Sequence, residues 1–519
     1  MIEETNIIKK NYKKINIHFG LTYPNVYRTA MSSLGYNILY NTLNLRNDTW
    51  CERIIFPHTR SMESNTSLKH FDIISFTLQF EEDYFNVLKM LKDSEIPLKR
   101  QDRDDNDPLI IAGGPCATAN PKPLSDYIDL FIIGEGEEVL ENVLNEYLHS
   151  EKNLKNYLKI NGVYIPEYNN KAQIKLVENM NDTFHITQPI LNKTDDKKST
   201  TVFNDSIMLN VSRGCTRGCR FCMAGYIYRP MRETNYEKLI EIALETRKNT
   251  GLNKVTLIGA AVSDYKNLSE LIKNLENEGF QISTPSLRIE SITKETLLTL
   301  KKSGLKTITL APESIYPLRK AINKNIGDEK IFSIINDAVN LDFNLKLYFL
   351  IGIPSETKKD IEELCEYMKK IADMHYNRKK IKFSINPLIP KPQTPLQWER
   401  YNLKDIKNKT RYIKKEMKNY NVKCESPKKG LIQYILSCGD YKVGNLIEKS
   451  LTNTITLKEW KELLPNYSLN DKLPWSNINV GVKEEFLKIE HKRLKSKKQT
   501  KWCETSACYN CGACEKNNI

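Results

Sequence analysis

Apolar positions in the first 150 residues come in short, β-branched runs separated by stretches with helical spacing. "KINIHFGL", "CERIIFP", "FDIISFTLQF", "PLIIAGGP" and "DLFIIGEGEEVL" are each too short for a helix and predict buried strands. "AMSSLGYNILYNTLN" and "EEDYFNVLKMLKD", between them, predict helices with one apolar face. Alternation in this order implies a parallel sheet with helices on both faces. Two strands run into glycine: Gly113 and Gly114 in "IAGGPCATANP", Gly134 and Gly136 in "IGEGEE". Without a Cβ, such turns let backbone approach a ligand at the carboxyl edge of the sheet, and they occur equally in domains that bind none.

Residues 151–200 are polar and rich in turn formers, which marks a connector. A second series follows in 201–400: "SIMLNVSRG", "KVTLIGAA", "QISTPSLRI", "TITLAPES", "LKLYFLIGIP" and "IKFSINPLIP" predict six strands, with helical segments between them. Six βα units predict a full or partial barrel with its chemistry at the carboxyl ends of the strands. Residues 401–519 read as mostly helical and end in a cysteine-rich tail.

At 519 residues the chain is too long for one core, and 40% apolar with 27% charged residues is globular composition. No apolar run is long enough to cross a bilayer and the start carries no secretory signal, so the expected location is cytoplasmic. There the 12 cysteines read as metal ligands or buried thiols rather than disulfides. Cys51, Cys116, Cys365, Cys424 and Cys438 are scattered and read as small buried hydrophobes. The net charge of +14 fits a protein or RNA partner without choosing between them. The densest basic run, 488–501, has no interleaved aromatics and reads as a solvated helix face rather than a nucleic-acid site.

Two cysteine groups change the picture. "GCTRGCRFCMAG" places Cys215, Cys219 and Cys222 in one loop directly after the first barrel strand. Structural zinc takes four ligands, commonly from two separated knuckles, whereas three thiolates suit a [4Fe–4S] cluster with one iron left free. The tail supplies Cys503, Cys508, Cys511 and Cys514, a complete set for a second [4Fe–4S] cluster or a zinc ion, with Trp502 and Tyr509 expected to pack against it.

The spacing C-x-x-x-C-x-aromatic-C, with Phe221 before the last cysteine, resembles the radical S-adenosylmethionine superfamily. "YPNVYRTAMSSLGYNILYNTLN", "TLAPESIYPLRKAINK", "LKLYFLIGIPSET" and "WCETSACYNCGACEK" extend the resemblance over nearly the whole chain, to a family with a cobalamin-binding-type domain before the barrel. The implied fold is α/β: a flavodoxin-like N-terminal sheet, a partial (β/α)6 barrel and a helical C-terminal region. The resemblance implies that Cys215, Cys219 and Cys222 hold the cluster and that S-adenosyl-L-methionine binds its free iron. Reductive cleavage then gives a 5′-deoxyadenosyl radical, with an electron from a donor such as ferredoxin or flavodoxin. It further implies that Arg288 and Glu313 face S-adenosylmethionine and that Gly352, Ile353 and Pro354 receive its adenine. On sequence logic alone the structural readings are favoured, Arg288 with Glu290 as an ion pair and Gly352, Ile353 and Pro354 as a strand-ending turn, and the resemblance reverses that. The usual acidic motif after the second barrel strand is replaced by "IGAAVSDY", which leaves Ser263 or Asp264 for the methionine amine. No D-x-H-x-x-G supplies an axial histidine, so a cobalamin on the N-terminal glycines would bind without that ligand. The leading expectation is a cobalamin-dependent C-methyltransferase acting on a protein or RNA. The alternatives are a methylthiotransferase-like RNA-modifying enzyme, which needs a further three-cysteine set in the N-terminal domain, and a non-catalytic iron–sulfur nucleic-acid-binding protein.

Overall fold

The computed structural model describes residues 2–193, 201–203, 205–284, 287–302, 304–503, 508 and 510–515. Strands β1 (Ile17–Tyr23), β2 (Thr49–Ile55), β3 (Ile73–Thr77), β4 (Leu109–Gly113) and β5 (Leu130–Ile132) pair in parallel in the order β2-β1-β3-β4-β5. That is the flavodoxin order expected from the alternation of strand and helix. A short β6 (Val163–Tyr164) adds antiparallel to β5, so the sheet extends past residue 150. Every residue of β1 and β2 is buried, which is why these strands read as continuous apolar runs. Successive residues still serve opposite faces. Ile73 and Ile111 belong to a core under the helices Leu34–Leu45 and Gly136–Ser150, whereas Ile74 and Ile110 belong to one shared with the barrel.

The second series forms seven parallel strands in two sheets. β7 (Ile207–Asn210), β8 (Lys254–Ile258) and β9 (Gln281–Ser283) make one, and β10 (Thr307–Glu313), β11 (Asn344–Ile351), β12 (Ile381–Pro387) and β13 (Val422–Cys424) make the other. All six expected strands are present. The seventh, β13, is three residues long and lies in the region read as helical. Along β11, Leu345, Leu347, Phe349 and Ile351 are buried, while Lys346, Tyr348 and Leu350 are half-buried on the other face.

The C-terminal region ties the N-terminal sheet to the barrel. Glu81, just after β3, is buried and bonded to Lys391, Gln433 and Ser437 (the last at 2.9 Å). Asn120 donates to the carbonyls of Ser437 and Gly439, both at 2.9 Å. Ile478–Asn479 pairs with Ala172–Gln173 of the connector. Of the five scattered cysteines, Cys51, Cys116, Cys365 and Cys438 are buried and Cys424 is half-buried. Among the described residues no helix is long and apolar enough to cross a membrane.

Candidate active site

The loop after β7 is closed at its base by Ser212–Arg213 pairing with Arg232–Glu233. Gly214 opens it at φ +81°, where a Cβ would lie 2.3 Å from the Tyr228 carbonyl and 2.5 Å from that of Pro230, so only glycine fits. Cys215 and Cys219 are each 7% exposed and Cys222 is half-buried beside them. Burial, reinforced by the neighbouring Cys219, pushes the Cys222 thiol up to about 11. Burial also raises Cys215, opposed by the Arg217 amide and the Arg288 guanidinium. Such thiols bind as thiolates only when positive charge is brought to them, which iron does. Phe221 is partly buried and packs on the main core. Among the described residues no three His, Cys, Asp or Glu side chains converge closely enough to share one metal ion. Thiolates on separate irons of a cube stand further apart than the ligands of one tetrahedral ion.

Charged groups gather beside the loop from the ends of the barrel strands. Arg288 Nη2 stands 4.0 Å from Cys219 Sγ and 2.8 Å from Glu290 Oε1, so the ion pair is real and also faces the cysteine. Burial works against the Arg288 charge, but Cys219, Glu290, Cys215 and Asp264 outweigh it and raise its pKa. Ser263 Oγ accepts the Arg288 amide at 3.1 Å. Asp264 takes two bonds from Arg217, at 2.6 and 2.5 Å, and one from Ser291 at 2.6 Å. Both its oxygens are engaged, and it ties the cysteine loop to the barrel. Glu290 is different: its Oε2 is buried without a hydrogen-bond partner, as are Arg288 Nε, Thr284 Oγ1 and Ser314 Oγ. Polar atoms left unsatisfied inside a protein are costly, and they fit a site built for a zwitterionic ligand.

Glu313 ends β10 at φ +67° and is 7% exposed. Its ion-pair partner among the described residues is Lys324, at 3.3 Å, buried with it. Burial raises the Glu313 carboxyl against the pull of Lys324. Burial would lower Lys324, but Glu313 and then Cys219 hold it above the usual lysine value. Sequence reasoning missed Lys324, because nothing in "RKAINK" separates a buried lysine from an exposed one. Gly352, at φ +83°, donates to Glu356 Oε2 at 2.7 Å, and Glu356 pairs with Lys409 at 2.9 Å. A cavity of about 230 Å³ adjoins Gly352, Ile353 and Pro354.

The N-terminal glycines do not form the open cradle expected of them. A Cβ on Gly114 would lie 2.7 Å from the Leu78 carbonyl, and one on Gly134 would lie 2.0 Å from that of Lys175. Gly113 faces Ile132, and Gly136 faces Leu39 and Leu140. Close approach of the chain to itself accounts for Gly114 and Gly134, whereas a Cβ on Gly113 or Gly136 would make ordinary contact at 3.4 Å. The larger opening is a cavity of about 1130 Å³ between the connector (Lys171–Glu178), Pro230 and Arg232 beside the cysteine loop, Gln393 and Gln397, and tail residues including Trp475 and Cys514.

In the tail, Cys511 is buried, Cys503 half-buried, and Cys508 and Cys514 exposed. The Asn510 amide donates to Cys508 Sγ at 3.4 Å, with Asn510 at φ +52°. Trp502 lies against Arg217, not against the tail cysteines alone, and Tyr509 falls outside the described residues. The basic run is a half-buried helix, Glu484–Lys495, with Lys488 and Lys495 paired to Glu484 and Glu399 on its outer face.

Two family models match the chain: "Radical SAM proteins, N-terminal" over 35–166 and "Radical SAM superfamily" over 209–368. Among solved structures, the radical S-adenosylmethionine methyltransferase TsrM of Kitasatospora setae, with cobalamin and a [4Fe–4S] cluster bound, is similar at a TM-score of 0.55. The identity is 11%, covering 75% of this chain and 78% of that one. The cobalamin-dependent radical enzyme OxsB gives 0.50 at 14% identity, over 80% of this chain and 65% of that one. These two likenesses concern the fold. An uncharacterised protein of Methanocaldococcus jannaschii is 33% identical over 469 residues, which is 88% of this chain and 98% of that protein. With that relative, the two matched family models and the three-cysteine loop beside a charged barrel edge, the chain is a radical S-adenosylmethionine enzyme, in one family with the Methanocaldococcus protein.

Proposed function

We propose that this enzyme methylates an unactivated carbon of a protein or RNA, with S-adenosylmethionine beside Cys219 and a cobalamin in the large cavity that borders the cysteine loop. The observation that carries the reading is the unsatisfied Arg288 Nε and Glu290 Oε2 on an ion pair whose Arg288 Nη2 stands 4.0 Å from Cys219 Sγ. The free Glu290 oxygen suits the methionine ammonium, and the Arg288 and Lys324 cations suit its carboxylate. Asp264 keeps Arg217 and the loop in place, and the Gly352 turn, braced by Glu356, is the surface for adenine. When bound, the cluster would supply the electron that cleaves S-adenosylmethionine, and cobalamin the methyl group. The cavity supports this placement: it is as large as the upper range of small-molecule sites and offers amide side chains at Gln393 and Gln397. The methylthiotransferase reading has less support: the N-terminal region offers only Cys51 and Cys116.

Protein reconstituted without oxygen, given dithionite, S-adenosylmethionine and methylcobalamin, is to be assayed for 5′-deoxyadenosine and bound cobalamin together. Deoxyadenosine that vanishes in Cys222→Ala, with stoichiometric cobalamin, supports both parts. Cleavage without cobalamin binding removes the methyltransferase part; no cleavage from a fully loaded cluster removes the enzymatic reading.

A further inference from the structure

The radical loop is held from one side by the chain that leads into the cysteine tail. Arg220 lies between Cys219 and Cys222, and its side chain is wholly buried. It donates to Glu490 at 3.0 and 2.9 Å, to the Ala321 carbonyl at 2.6 Å and to the Lys498 carbonyl at 2.8 Å. Thr500 donates its amide to Asn323 at 2.8 Å, and Asn323 in turn donates to the Gly218 carbonyl at 3.1 Å. Arg217, between Cys215 and Cys219, stacks its guanidinium on the Trp502 ring at 3.5 Å while binding Asp264. Trp502 is joined directly to Cys503. Both arginines of the loop therefore find partners in residues 490–502.

A buried guanidinium that loses its partners is left with an uncompensated charge, so the loop keeps this shape only while that segment stays docked. The tail beyond it has little apolar surface of its own: Cys511 and Ala513 are buried, and Gly512 packs on the Gly481 carbonyl. In so polar a segment the binding of a metal by four thiolates is itself the source of folding free energy.

We propose that the metal at Cys503, Cys508, Cys511 and Cys514 is a clasp on the radical loop: by anchoring Cys503 it seats Trp502 and residues 498–500 on Arg217 and Arg220, and so sets how firmly Cys215, Cys219 and Cys222 keep their cluster. The clasp rests on the reading of both cysteine sets as metal sites. Trp502, Arg217 and Arg220 are positioning residues in it.

The test uses the full chain reconstituted without oxygen, with metal analysis and electron paramagnetic resonance of the dithionite-reduced cluster, with and without S-adenosylmethionine, during exposure to a chelator. The variants are the double Cys508→Ser, Cys514→Ser, which alters the two exposed tail thiols, and Trp502→Ala, Trp502→Phe and Cys222→Ala. The S-adenosylmethionine-responsive signal is expected to decay roughly tenfold faster or more in the double variant, the size of effect seen when residues supporting metal ligands are lost. Trp502→Ala is expected to move the same way with the tail metal retained, and Trp502→Phe to restore most of the lifetime. A double variant without tail metal whose signal outlasts the chelator as in the parent overturns the clasp while leaving the radical site standing. Failure of the parent to give a responsive signal, or its persistence in Cys222→Ala, removes the radical reading and the clasp with it.

Discussion

The N-terminal sheet and the barrel present the same kind of carboxyl edge, parallel strands ending in glycine, serine and acidic residues, yet the two edges are used in opposite ways. At the N-terminal edge, Gly114 and Gly134 meet carbonyls of the chain, Glu81 meets Lys391, and Asn120 meets the end of the helix Pro427–Cys438. At the barrel edge, Arg288, Glu290, Thr284 and Ser314 each keep a buried polar atom without a partner. The first edge is largely taken up by the protein itself and joins the halves of the molecule, with Thr22 Oγ1 near the end of β1 buried there without a partner among the described residues. The second is left waiting for a ligand. What marks the chemical site is the unfinished hydrogen bonding, not the glycines.

Substitutions at the satisfied edge therefore act on stability. Gly134→Ala is the most severe, since the new Cβ would fall 2.0 Å from a backbone carbonyl at φ +110°. A loss of about 4 kcal/mol or more is expected, the range kept for strain that cannot relax, read from urea unfolding of the reconstituted protein. A loss under about 1 kcal/mol would mean the connector moves aside, and the contrast between the edges would weaken.

Lys324→Met tests a residue between these extremes, because its ion pair with Glu313 is internal and it also faces the ligand side. Leaving Glu313 buried alone is expected to cost about 3 kcal/mol, and the double Glu313→Gln, Lys324→Met should recover most of that. Non-recovery would mean Lys324 has a partner other than Glu313. At the unsatisfied edge, Glu290→Gln should cost less stability than Lys324→Met, since Asp264 and Cys219 still face Arg288, and weaken S-adenosylmethionine binding roughly 10- to 100-fold, the worth of one charged hydrogen bond, measured by equilibrium binding. Unchanged affinity would move the ammonium site elsewhere.

The strands of both sheets were legible because parallel strands buried on two faces write themselves as apolar runs, and the cysteine spacing was legible because its ligands lie within one loop. β6 and β13 escaped because they are short pieces inside segments that otherwise read as connector and as helix. Lys324 and Glu290 were not separable from solvated charges, since burial and the absence of a partner are properties of the folded chain. The glycines were assigned to a ligand because a turn approached by its own chain and one approached by a cofactor need the same missing Cβ. The docking of Arg220 depends on residues 100 to 280 positions away, a distance at which sequence pattern says nothing.

The mildest test of the contrast is acid. Burial pushes the Glu81 carboxyl up, but the Lys391 ammonium and the donors on Gln433 and Ser437 outweigh it and hold the carboxyl below the ordinary value of 4.5. A carboxyl depressed by folding stabilises the folded state fully above its unfolded value, and that contribution is lost as pH falls through the folded value. Asp83 nearby runs the other way, pushed up to about 6 by burial, and its protonated form stabilises the fold as pH falls below that point. The two opposing trends blur one another in the parent protein alone. The difference between parent and Glu81→Gln removes the larger, burial-driven part of the Asp83 trend, Glu81 being the smallest of the causes given for the Asp83 shift. That difference, taken from hydrogen exchange in the helix Pro427–Cys438, should be present at about pH 7 and shrink as the medium is taken below about pH 4. A difference that does not change with pH would mean that Glu81 holds the edge by shape and hydrogen bonding alone, without the charge on Lys391.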